Sequence, residues 1–103
     1  KVIGSPHFMA PEQWTGGEVT PATDIYAAGL FLYFVLTGRH PFDAEDPLSL
    51  MYKHLHFTPP DPRDWAPDVP EAAVEAMRRA VAKKPSDRFA SAAEFREALE
   101  AIG

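Results

Sequence analysis

A chain of 103 residues with 46% hydrophobic and 24% charged side chains has the size and make-up of one soluble globular domain, which excludes two independent domains. Ten Lys and Arg against fifteen Asp and Glu leave a net charge of −5, the wrong sign for a protein devoted to nucleic-acid backbone. No cysteine is present, so disulfides, thiolate zinc sites and a cysteine nucleophile are out.

In chain order, Lys1-Val2-Ile3-Gly4-Ser5-Pro6 has neither a charged-then-apolar leader nor a small-residue cleavage pattern, which predicts a cytoplasmic chain without a secretory signal. Eleven prolines punctuate the rest, most of them beside apparent helix ends, where a missing amide donor does least harm. The strongest predicted helix is Pro21 to Thr37, opened by Thr20 and closed by Gly38, Arg39 and Pro41. Its middle, Ile25 to Leu36, is too short for a bilayer span and apolar all round, so it is expected at the centre of the fold, surrounded by protein. Asp46-Pro47 repeats the cap-then-proline signal, and Leu48, Met51, Tyr52 and Leu55 predict a short amphipathic helix over 46–56.

Pro59, Pro60, Pro62, Pro67 and Pro70 then make a long extended connector, with Trp65 expected to pin it to the core. From Pro70 to Lys84, Ala73, Val74, Met77, Ala80 and Val81 trace one apolar stripe, and cations suit the helix's negative pole. Ser91 and Glu94 form a capping box before Phe95, Leu99 and Ile102, with Gly103 as the stop. With no repeat and no alternating strand, the expected class is all-α with long Pro-rich connectors.

Isolated chemical signals are weak. His54 and His56 lie two apart and diverge rather than converge on a metal. Arg78, Arg79, Lys83, Lys84 and Arg88 read as a solvated basic helix end. Ser, His and Asp occur without a Gly-x-Ser-x-Gly turn, so a hydrolase triad has no support.

A joint pattern is far more specific. Gly4-Ser5-Pro6-His7-Phe8-Met9-Ala10-Pro11-Glu12 is followed by Thr23-Asp24-Ile25-Tyr26-Ala27-Ala28-Gly29, then Leu36-Thr37-Gly38-Arg39-His40-Pro41-Phe42, then Lys84-Pro85-Ser86-Asp87-Arg88-Phe89. In this order the blocks resemble the serine/threonine protein kinase family, from the end of the activation segment through the last helix of the large lobe. The Ala- and Pro-rich style is similar to bacterial members, and Ser5 stands where the family usually has Thr. The resemblance covers essentially the whole chain. It divides the chain into an Ala-Pro-Glu region (1–19), a central helix (20–38), a short helix (46–56) and two closing helices (70–84 and 91–102).

The resemblance implies that Glu12 pairs with Arg88 as a buried structural ion pair, against the plainer alternative of two unrelated surface charges. Asp24 would support the catalytic loop by accepting its backbone hydrogen bonds, whereas by itself it only complements a helix dipole. Gly4, Ser5, Pro6, His7, Phe8 and Met9 would form the wall that receives a protein substrate peptide; read alone they are a surface loop. Phosphoryl transfer also needs a Gly-rich loop, a phosphate-holding Lys, a catalytic-loop Asp and magnesium ligands, none of which occurs here. The chain is therefore expected to be a truncated or excised part of a large lobe. It would hold no catalytic, cofactor-binding or metal residue, and ATP and Mg2+ would belong to the complete kinase. The expected partners are substrate peptides and the N-terminal part of the kinase domain, with no nucleic acid and no membrane contact. The location would be cytoplasmic, including as the cytoplasmic part of a membrane-anchored kinase. Two functions stand open: a piece of an active kinase, or a non-catalytic helical interaction module.

Overall fold

Thr20 leads into Pro21 with extended backbone, and its amide donates to the Thr23 hydroxyl at 3.1 Å, which starts the longest helix. That helix ends where Gly38 takes a left-handed φ of 73° and returns its N–H to the Phe34 carbonyl. The computed structural model describes residues 6–102; Gly4 and Ser5 of the expected substrate wall, and Gly103, lie outside the described residues. The five helices are α1 (Pro11–Trp14), α2 (Pro21–Thr37), α3 (Pro47–His56), α4 (Glu71–Ala80) and α5 (Ala92–Glu100). Single 3-10 turns occupy Pro6–Phe8, Pro62–Asp64 and Pro85–Asp87, and there is no strand among the described residues. The fold is all-α.

α2 is the axis against which α4, α5 and the Pro6–Phe8 turn pack, while α3 rests on α1. Ile25, Tyr26, Leu30, Phe42, Leu50, Ala80, Val81, Phe89 and Phe95 form one continuous core. Gly29 is what allows α4 so close to α2, since a Cβ there would lie 2.9 Å from the Ala80 Cβ and 2.8 Å from Val81 Cγ1. Asp46 caps α3 through the Ser49 amide at 2.9 Å, and Ser91 caps α5 through the Glu94 amide at 3.1 Å.

Four expectations are corrected. α2 is not surrounded: Phe31 is 56% and Val35 59% exposed, because α4 and α5 cover only the side carrying Ile25, Tyr26, Gly29 and Leu30. On α3 the buried pair is Leu50 and His54; of the expected stripe Leu48 is 71% and Tyr52 56% exposed, while Met51 and Leu55 are half-buried. Trp65 sits at the rim rather than in the core, its ring edge-on to Tyr33 at 6.5 Å and beneath the Arg39 guanidinium at 4.9 Å. α4 stops at Ala80 instead of Lys84 because the carbonyls of Ala82 and Lys83 turn aside to accept hydrogen bonds from Arg88. No helix among the described residues is long and apolar enough to cross a membrane.

Candidate functional site

Arg88 follows the Pro85–Asp87 turn, and its side chain is fully buried. A buried guanidinium must place five N–H donors, and all five find acceptors. Nε donates to the Ala82 carbonyl at 2.7 Å, and one terminal nitrogen donates to Glu12 Oε2 at 2.8 Å and the Ala22 carbonyl at 3.0 Å. The other terminal nitrogen donates to Glu12 Oε1 at 3.0 Å and the Lys83 carbonyl at 3.2 Å. The Thr23 hydroxyl adds a third bond to Glu12, donating to Oε2 at 2.7 Å. The planar fork thus joins α1, the start of α2 and the loop after α4 at one point. Burial pushes the Glu12 carboxyl up, but the Arg88 and Thr23 hydrogen bonds, with the Arg88 charge, outweigh it and hold the carboxyl below its ordinary value.

The clamp fixes the segment just before it. Ala10, fully buried, directs its amide to the Gln13 side chain at 2.9 Å and opens α1. Pro6–Met9 precedes it as one 3-10 turn closed by the Met9 amide on the Pro6 carbonyl at 3.3 Å. His7, Phe8 and Met9 are half-buried, and Phe8 lies edge-on to Phe31 of α2 at 6.0 Å. Asp24 is exposed on the first turn of α2 and its carboxylate makes no hydrogen bond or ion pair with any described residue, so the structure brings it to neither the clamp nor the turn.

A second buried layer lies behind the clamp. Tyr26 carries the Arg88 guanidinium over its ring at 4.9 Å and hydrogen-bonds through its hydroxyl to His54 Nδ1 at 2.8 Å. Trp14, Tyr26 and Phe42 enclose the His54 ring. Burial first, then the charges of Lys83 and His7, lower His54 to about 4 against a small opposing contribution from the Pro6 backbone, so it is neutral near pH 7. The Lys83 ammonium stands over Phe42 at 4.5 Å and has no hydrogen-bond acceptor among the described residues. Burial, helped by the Arg88 charge, lowers it to about 8.

The basic cluster expected after α4 therefore separates into distinct contacts. Arg78 reaches Asp61 at 3.6 Å, Arg79 covers the Phe89 ring at 4.3 Å, and Lys83 and Arg88 point inward. The sequence gives Thr23 and Tyr26 no separate role, and it reads His54 as a diverging histidine and Lys83 as part of a solvated helix end. Thr23, three residues after Thr20, is visible as a cap signal; the convergence of the others depends on how α3 and the loop after α4 meet α2.

An Arg-on-carboxylate clamp thus ties the chain ahead of the all-α core to its central helix. The family model described as "Protein kinase domain" matches residues 1–100, and the chain belongs to that family. It is 43% identical over 91 residues to the serine/threonine-protein kinase PrkC of Bacillus subtilis, which covers 88% of this chain and 14% of that protein. It is also 43% identical over 99 residues to the serine/threonine-protein kinase Pkn1 of Myxococcus xanthus (96% of this chain, 14% of that protein). The DNA damage-responsive serine/threonine-protein kinase RqkA of Deinococcus radiodurans is 41% identical over 91 residues (88% and 14%). The chain thus spans about one-seventh of the length of these relatives.

Proposed function

We propose that this segment supplies peptide docking and core support in the large lobe of a bacterial-type serine/threonine protein kinase, and that it does not transfer phosphate alone. The observation carrying this reading is the buried Arg88 fork, with every donor satisfied and Glu12 held to the start of α2. A wall that receives a peptide must keep its shape without the peptide, and the clamp supplies that rigidity to Pro6–Met9 through Ala10 and Glu12. In this reading residues 1–19 end the activation segment, 20–38 form the central helix, and the later helices close the lobe. Asp24, exposed and without a partner here, is free to take the backbone donors of a catalytic loop. The complete kinase would act on Ser or Thr of proteins with ATP and Mg2+ in the cytoplasm, alone or as the cytoplasmic part of a membrane-anchored protein.

The residues present do not fit the nucleotide. The sequence has no Gly-rich loop or catalytic-loop motif, and no group of three His, Cys, Asp or Glu among the described residues is placed to hold a metal ion. Calorimetry of the chain with Mg2+ and ATP is expected to show no saturable heat, and micromolar binding would overturn that point. The docking role is tested by placing this chain in the matching stretch of PrkC and assaying phosphate transfer to a protein substrate. Activity that Arg88→Lys lowers more through KM than through loss of folded protein supports the reading. A folded chimaera that binds nucleotide but transfers nothing overturns it.

A second reading, a non-catalytic helical interaction module, draws on the exposed Phe31 and Val35 of α2 and Leu48 and Tyr52 of α3. An inactive chimaera would leave that reading standing.

A further inference from the structure

Resting on the docking reading, the residues that hold the Pro6–Met9 turn in place suggest how it is released. The His7 imidazole stacks on that of His40, with centroids 4.0 Å apart and planes 16° from parallel. The opposite face of His40 stacks on Phe34 of α2 at 4.6 Å and 23°, and Phe8 meets its edge at 5.3 Å. Three rings thus lie in one pile: one from the turn, one from the loop after α2 and one from α2 itself. His7 Nε2 is 2.9 Å from Asp43 Oδ1, and that carboxylate oxygen also accepts the Ala44 amide at 2.9 Å.

The pile tolerates one proton more readily than two. A charge on His7 is met by Asp43. A charge on His40 would sit in a half-buried ring, would face His7 across 4.0 Å, and would put an N–H on Nδ1, an atom that is buried without a hydrogen-bond partner among the described residues. Burial first, and His7 second, lower the His40 pKa below the ordinary 6.5, opposed by Asp43. The other charged or titratable groups facing the pile come from α3. Lys53 donates to the Asp43 backbone carbonyl, and His54 lies close enough to feel the His7 charge. α2 contributes Phe34 to the pile and sets Phe31 against Phe8, and the neighbouring Arg39 is engaged with Trp65.

We propose that the His7–His40–Phe34 pile is a latch that holds the Pro6–Met9 turn against α2 while His40 is neutral, and opens when both imidazoles are protonated. The latch makes His40 a positioning residue for the peptide wall and makes the wall sensitive to acid. Its test is a titration of this chain by NMR from about pH 8 to about pH 5, reading the imidazole signals of His7, His40 and His54 with the amides of Phe8 and Met9. His40 is expected to titrate below 6.5, with the Phe8 and Met9 amides moving at its midpoint and the Met9 amide losing protection from hydrogen exchange. His40→Phe, which keeps a flat ring in the pile and cannot be charged, is expected to abolish that movement. His54→Gln, which removes the buried imidazole of α3 outside the pile, is expected to leave it in place. Phe8 and Met9 amides that ignore the His40 titration, or that move identically in His40→Phe, overturn the proposal. The titration uses no peptide and the chimaera assay uses no acid, so failure of the latch and failure of the docking reading are told apart.

Discussion

At Arg88 the stabilising geometry and the risk are the same thing. Five satisfied donors in a fully buried fork mean that any smaller head group leaves acceptors and one carboxylate unpaired. Arg88→Lys, which keeps the charge but has three donors and no fork, and Glu12→Gln, which removes the charge, are each expected to cost roughly 3–5 kcal/mol in a urea melt. Values near 0–1 kcal/mol would mean that the pair behaves as a surface contact. Lys83 has the opposite sign. Its folded-state value of about 8 lies below the ordinary 10.5, so between those limits the unfolded chain binds the proton that the folded chain has released. Stability is therefore expected to rise with pH from about 8 to about 10.5, by up to about 3 kcal/mol. At pH 7 the ammonium is buried and charged, so Lys83→Met is expected to add about 1–3 kcal/mol and flatten the alkaline rise. Melts of both proteins across that window measure the difference; an unchanged alkaline rise in the variant would place its origin elsewhere.

At the scale of elements, the contact between α2 and α4 depends on one missing side chain. Gly29 lowers helix propensity, but its absent Cβ is what lets Ala80 and Val81 approach. Gly29→Ala is accordingly expected to destabilise by about 1–3 kcal/mol despite the better helix former, because Ala80 belongs to a rigid helix and cannot turn away. A neutral or raised melting temperature would show that the helices part without strain. The proline-rich connector follows the same logic of local anchors. Arg63 ties Asp61 at 2.8 Å and Glu71 at 2.6 Å, which joins the connector to the first turn of α4 without burying Trp65.

For the whole molecule, the Cα radius of gyration of 13.0 Å matches the ~13 Å expected of a folded domain of about 100 residues. Compactness is not completeness of cover, since Phe31 and Val35 on α2 and Leu48 and Tyr52 on α3 remain in water. Apolar area left exposed contributes nothing at about 25 cal/mol per Å2 while the entropy of ordering the chain is still lost. The chain by itself is expected to be marginally stable, to bind an apolar dye and to associate. A thermal melt with dye fluorescence and size-exclusion chromatography checks this; a sharp high-temperature transition, a monomeric elution and no dye signal would favour the interaction module.

The sequence by itself determined the elements whose causes are local. Thr20-Pro21 and Gly38 bound α2, Asp46-Pro47 starts α3 and Ser91 starts α5, because a cap needs only its own next turn. Ordered motifs also carried the family and the choice of Glu12 and Arg88 as a pair. What only the tertiary structure decided is everything that depends on how one element meets another. The face of α3 that is buried, the early end of α4 at Ala80, the inward turn of Lys83 and the stacking of His40 between His7 and Phe34 are of this kind. Periodicity says that a helix has an apolar stripe, but burial is settled by the shape of the neighbour. A carbonyl leaves its helix, or an imidazole stacks between two rings, only because a distant residue has arrived beside it.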